Sequence, residues 1–149
     1  MNAHHEVQDA TAPTADGVGV DVSLRLPADG AFVLILRTAA AGLAARLDFP
    51  LDDIEDIRTA VDEASLMLLP QARPGSQLAC DFHLEGDLLT VTLEADSDAP
   101  HEPDRDSFSW QVLSALTSSV SAETPPGRIR LTLTARSSSA EDLAGSVGS

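Results

Sequence analysis

Few residues in this chain are of a type that does chemistry, and their neighbours narrow what each can do. The one cysteine, Cys80, sits in an alternating stretch and reads as a buried strand residue rather than a nucleophile. His83 is on the same strand but on its other side, so the two do not make a metal site, and no other metal cluster is expected. His4 and His5 fall in the N-terminal segment, where no role is expected for them. All nine basic residues are Arg, so no lysine can form a Schiff base or serve a phosphate-binding loop. Two residues on helical stretches stand out. Glu63 has Met67 one turn further on, on the same face. Arg37 lies on a helix face with Leu34, Thr38, Ala41 and Ala45. In a chain this acidic, such a face is either a contact surface or the back of an ordinary alanine-rich helix.

Those helices belong to an ordered series of elements. Val20, Val22, Leu24 and Leu26 alternate with polar residues as in a half-buried strand, which Pro27 ends. Asp29 is placed to cap a helix over about 30–47, with Phe32, Leu36, Ala39, Leu43 and Leu47 inward. A second helix starts near Pro50 and stops before Pro70, with Ile54, Ile57, Val61, Ala64 and Leu68 as its stripe. Asp52, Asp53, Glu55 and Asp56 crowd its first turns, where the helix dipole favours negative charge. Leu78 to Leu84 and Leu89 to Leu93 alternate around the turn residues Glu85-Gly86-Asp87, which predicts a hairpin. Residues 95–106 form an acidic loop kept irregular by Pro100 and Pro103. A third helix begins near Ser107, with Phe108, Val112, Leu116 and Val120 inward. After Pro125-Pro126-Gly127, Ile129, Leu131 and Leu133 alternate in a last strand. The order β-α-α-β-β-α-β predicts an α+β two-layer sandwich, with a mixed, mostly antiparallel sheet and helices on one face.

With 149 residues, 43% hydrophobic and only 3% aromatic, the chain suits one domain with an aliphatic core. We place that domain at 20–136, between a disordered arm at 1–19 and a loose tail at 137–149. No run reaches the length of a membrane span, and the start lacks the pattern of a secretory signal, so the cytoplasm is expected. The net charge of -15 disfavours nucleic acid and anionic membrane and favours a basic protein partner.

The element order, with Val61-Asp62-Glu63-Ala64 inside the second helix, resembles the histidine-kinase-like ATPase fold, and within it the RsbW/SpoIIAB branch of anti-sigma factors, which are serine protein kinases. The Ser107-Phe108-Ser109-Trp110 segment looks like that of actinobacterial members, and the resemblance covers about Val20 to Ala135. It implies that Glu63 matches a general base acting on a substrate serine, and that Met67 stands where an Mg²⁺-binding Asn belongs; a thioether is too soft for that ion. It implies that Asp96 matches the adenine-reading Asp of a D-x-G-x-G box whose glycines are here Asp98 and Pro100. Ser107 and Ser109 match the G-x-G box beneath the phosphates, where they could donate hydrogen bonds; Ser107 is equally a helix cap and Trp110 packing. The family's sigma-contacting Arg falls at Arg37, with Leu34 and Ala41 beside it. The implied function is an anti-sigma factor that sequesters an alternative RNA polymerase sigma factor and is released by a STAS-type anti-anti-sigma protein. The alternative is an active kinase using ATP and Mg²⁺ to phosphorylate that antagonist. A homodimer is also implied.

Overall fold

The structure is a computed structural model and describes residues 21–139; the arm at 1–19, Val20 and the tail residues 140–149 lie outside them. The elements are β1 (Val22–Pro27), α1 (Val33–Arg46), α2 (Leu51–Leu68), β2 (Gln77–Glu85), β3 (Leu88–Asp96), α3 (Phe108–Leu116), β4 (Ser119–Glu123) and β5 (Arg128–Arg136). The strands form one sheet in the order β1-β2-β3-β5-β4. Each of its pairings is antiparallel, including those at the edges.

Local chemistry places most of these boundaries. Asp29 accepts a hydrogen bond from Ala31 N at 2.9 Å and caps a short 3-10 turn that runs into α1. At the other end of α1, Asp48 takes a left-handed φ of 60°. Its N–H bonds Ala45 O at 3.0 Å, and the N–H of Phe49 bonds Ala44 O at 3.1 Å. That is the reciprocal C-terminal cap that normally carries glycine, and the buried Phe49 closes it with an apolar contact. The cap folds α2 back along α1 as an antiparallel hairpin. Gly86, with φ at 60°, opens the two-residue turn that aligns β2 with β3.

One face of the sheet meets the helices. Cys80, Phe82, Val91, Leu93, Leu131 and Leu133 are all buried there, beneath Ile57, Val61, Ala64 and Leu68 of α2. In α1 the fully buried positions are Leu36, Ala40 and Ala44, with Ala39, Leu43 and Leu47 on the flank, so the stripe is turned from the one expected. Small side chains at Ala40 and Ala44 let the helix backbone come close to its neighbours. Burial also pushes the Cys80 thiol well above its usual range, with a smaller push from Asp81, so it stays protonated. His83 lies on the other side, with Nδ1 3.0 Å from Asp21 Oδ2.

The region after α3 departs from the expectation. Val120 belongs to β4, opposite Leu133, and not to a long third helix. The helix stops at Leu116 because Thr117 turns extended, and its hydroxyl donates to Leu113 O at 2.9 Å. The free edge of β5 then gains a partner, and Arg130 ties three strands by bonding Glu94 at 2.7 Å and Glu123 at 3.0 Å. Burial lowers the pKa of Arg130 while these bonds raise it, and the bonds prevail. Phe108, expected inward, is 82% exposed; Trp110 and Leu113 fill the interior instead. The first tail residues are tied down: Ser137 N donates to Asp87 O at 3.0 Å and Ser138 N to Asp53 Oδ2 at 2.7 Å.

Candidate functional site

The elements that carry Glu63, Asp96, Ser107 and Ser109 come together at one end of the sandwich. The C-terminal half of α2, the C-terminal end of β3 and the N-terminal end of α3 meet there, since Arg73 N, just past α2, donates to Asp96 O at 2.7 Å. The opposite end holds a cleft of about 100 Å³ lined by residues including Asp53, Asp56, Leu116 and Arg136, which none of the expected site residues enters.

At the gathered end, Glu63 is half-buried on α2. Met67, one turn on, packs against the hydrophobic core. Asp96 is exposed at the end of β3, while Ser97 is buried and its N–H donates to Gly127 O at 2.9 Å. Ser107 caps α3, accepting from Trp110 N at 3.2 Å. Ser109 is half-buried on the first turn.

The acidic loop between β3 and α3 is irregular, as its prolines require, but it is fastened. The Gln71 side chain donates to His101 O at 3.0 Å and accepts from His101 N at 2.9 Å. Arg73 pairs with Asp98 at 2.9 Å. Arg105 bonds Glu102 at 2.9 Å and lies 4.5 Å from the Trp110 ring centroid, a cation–π distance. Gln111 of α3 donates to Arg105 O at 2.9 Å. Gln71 and Arg73 carry no signal in the sequence, because each acts on a loop residue by tertiary contact, whereas Arg105 acts within the loop on Glu102, three residues before it.

Arg37 sits on the α1–α2 seam and not on a free outer face. Its Nη1 donates to Asp62 Oδ2 at 3.0 Å, with about a third of each side chain exposed. Leu34 at 57%, Ile35 at 48% and Leu66 at 64% are exposed large hydrophobics of the same two helices. Ala41 is half-buried one turn after Arg37. Among the described residues no three His, Cys, Asp or Glu side chains converge to hold a metal ion, and no helix is long and apolar enough to cross a membrane.

Among the described residues, three α-helices on one face of a five-stranded antiparallel sheet make an α+β two-layer protein, consistent with the histidine-kinase-like ATPase fold. The solved SiaB–SiaC complex from Pseudomonas aeruginosa contains a similar chain, at a TM-score of 0.57 over 91% of this chain and 96% of that one; at 10% identity the likeness is one of fold. No family model matches. The chain is 33% identical over 88 residues to the serine-protein kinase RsbW of Halalkalibacterium halodurans, covering 58% of this chain and 52% of that protein. It is 33% identical over 72 residues to the RsbW of Bacillus cereus, covering 47% and 45%. It thus matches about half the length of these curated relatives. The likeness of sequence is to RsbW serine-protein kinases over part of the chain, and that to the solved structure is one of fold.

Proposed function

We propose that this protein is an anti-sigma factor that binds and sequesters an alternative RNA polymerase sigma factor in the cytoplasm and is released by a STAS-type anti-anti-sigma protein. The observation that carries the reading is the α1–α2 surface, where Arg37 stands between Leu34 and Ala41 and the exposed leucines Leu34 and Leu66 remain uncovered. Exposed apolar side chains around a charged residue are the usual makings of a protein contact. The net charge of -15 speeds encounter with basic parts of a sigma factor.

Mg-ATP is a poor fit to the residues at the family's nucleotide position. Met67 gives its thioether to the core where a hard oxygen ligand is needed. Asp98 is held by Arg73, Pro100 lacks an N–H, and Gln71 fastens the loop that would have to cover a nucleotide. We therefore derive no phosphoryl-transfer step. A second reading, an active serine kinase acting on the antagonist, draws on the half-buried Glu63 as base and on Asp96, Ser107 and Ser109 toward ATP.

Titration calorimetry against the purified alternative sigma factors of the host tests the first reading. One of them binds, and Arg37→Ala weakens it by about 2–4 kcal/mol. Affinity unchanged by that substitution places the interface elsewhere. Labelled ATP with Mg²⁺ and the antagonist tests the second reading; phosphoserine lost in Glu63→Gln establishes the kinase.

A further inference from the structure

A guanidinium and a carboxylate are shaped to make two parallel bonds. Arg37 and Asp62 make one. Arg37 Nε and Asp62 Oδ1 are shielded from solvent and have no hydrogen-bond partner among the described residues. A donor and an acceptor removed from water without partners oppose the pairing that put them there. The charged ends still reach the surface, since about a third of each side chain is exposed. A pair of this kind contributes little as a brace between helices, and a better partner can replace either half.

Its surroundings show what such a partner brings. In the antiparallel hairpin Leu34 stands one turn before Arg37 and Leu66 one turn after Asp62, toward the same end of the seam, and both are exposed. On the far side of the pair, Ala41 and Arg58 follow at the same spacing. The seam therefore presents an apolar step, then Arg37 and Asp62 side by side, with Arg58 one turn beyond, near Glu55. A partner offering only a carboxylate to Arg37 would approach against a net charge of -15. A partner that also offers a cation to Asp62 would not.

We propose that the Arg37–Asp62 ion pair is an exchange site. On docking, a carboxylate of the sigma factor takes Arg37, a neighbouring basic side chain of the sigma factor takes Asp62, and apolar side chains next to them cover Leu34 and Leu66. This rests on the anti-sigma reading and adds to it Asp62 and Leu66 as contact residues and an acid–base pair as the chemistry of the partner. A second copy of this chain could satisfy the same pattern about a two-fold axis, but it carries the same negative charge and is opposed by it.

The test compares wild type, Asp62→Asn and the charge-swapped double variant Arg37→Asp/Asp62→Arg in the full chain. The readouts are melting temperature, sedimentation, and calorimetry against the sigma factor that the wild type binds. Loss of Asp62 leaves melting within about 2 °C of wild type, because a partly exposed pair stabilises weakly. It weakens sigma binding by at least roughly tenfold, as truncation of one interfacial charge does. The swapped variant keeps an internal pair of reversed polarity, so it melts as wild type yet binds at least about a hundredfold more weakly. A fall in melting of more than about 5 °C in Asp62→Asn makes the pair a structural brace and overturns the proposal with no partner present. Full sigma affinity in Asp62→Asn or in the swapped variant also overturns it, and so does a wild-type dimer that Asp62→Asn splits. Arg37→Ala separates the two levels. If it leaves affinity intact, the anti-sigma interface itself is misplaced; if it weakens binding while Asp62→Asn does not, only the exchange fails.

Discussion

Replacing Met67 by Asn restores the residue that the family resemblance calls for, and the structure says what that costs. Met67 is partly buried against the core. Full burial of a methionine side chain is worth about 1.5–3 kcal/mol, so partial burial accounts for roughly half of that. Asn is also a poorer helix former than Met by a few tenths of a kcal/mol. The expected loss is about 1–2 kcal/mol, or roughly 3–8 °C in melting temperature for a domain of this size. Nucleotide binding is not regained, because Asp98, Pro100 and the loop fastened by Gln71 are unchanged. The assay is thermal unfolding followed by the emission of Trp110, the chain's only tryptophan, which lies at the start of α3. Melts are run for wild type and variant with and without Mg-ATP. A ligand at 100 times its dissociation constant adds about 2.7 kcal/mol, more than the substitution removes, so binding is visible against the loss. Mg-dependent stabilisation of Met67→Asn by ATP would mean the rest of the site is intact and the reasoning wrong. No loss of stability would mean that Met67 has no part in the core.

Three further outcomes are expected. Asp48→Gly removes a side chain from a left-handed position and raises stability by about 0.5–1 kcal/mol in denaturant melts; destabilisation would show that the Asp48 side chain supports the α1 cap. Asp56 has its pKa raised above the ordinary 3.8, first by burial and then by Asp53 and Asp52. Its native carboxyl therefore holds protons more tightly than the unfolded one, and stability falls as pH rises from 3.8 through the native value, with the penalty complete at neutral pH. Asp56→Asn accordingly gains about 0.2–0.5 kcal/mol at pH 7 and almost none near pH 3; an equal gain at both would assign it to something other than charge. Gln71→Ala breaks both bonds to the His101 backbone and speeds hydrogen exchange of the His101 amide by about tenfold, whereas unchanged exchange would mean the loop is held by its other contacts.

How far the fold was legible depended on how local its cause was. Asp29, Pro50, the Gly86 turn and the two-residue periods of β2, β3 and β5 are signals carried within a few residues, and each element lies where its pattern places it. The strand β4 was not legible. Phe108, Val112, Leu116 and Val120 keep a four-residue spacing that suits one long helix, and Ser-Val-Ser-Ala alternates too briefly to contradict it. The open edge of β5, formed by residues further along the chain, decides between them by offering hydrogen bonds that a helix would leave unmade. The candidate residues on α2, β3 and α3 were named from the order of the elements, and the ends of those elements meet in the structure. Asp62, 25 residues from Arg37, could not be assigned as its partner, nor Gln71 as the fastening of a loop 30 residues away.

Composition and periodicity by themselves determined an acidic α+β chain with an aliphatic core, because hydrophobic burial acts on each element through its own pattern. Which charges stand free, which are answered by a neighbour and which loop is tied down were decided only by the packed helices and sheet. Ion pairs and side-chain hydrogen bonds act over a few ångströms in space, and sequence spacing says nothing of that distance until the chain has folded.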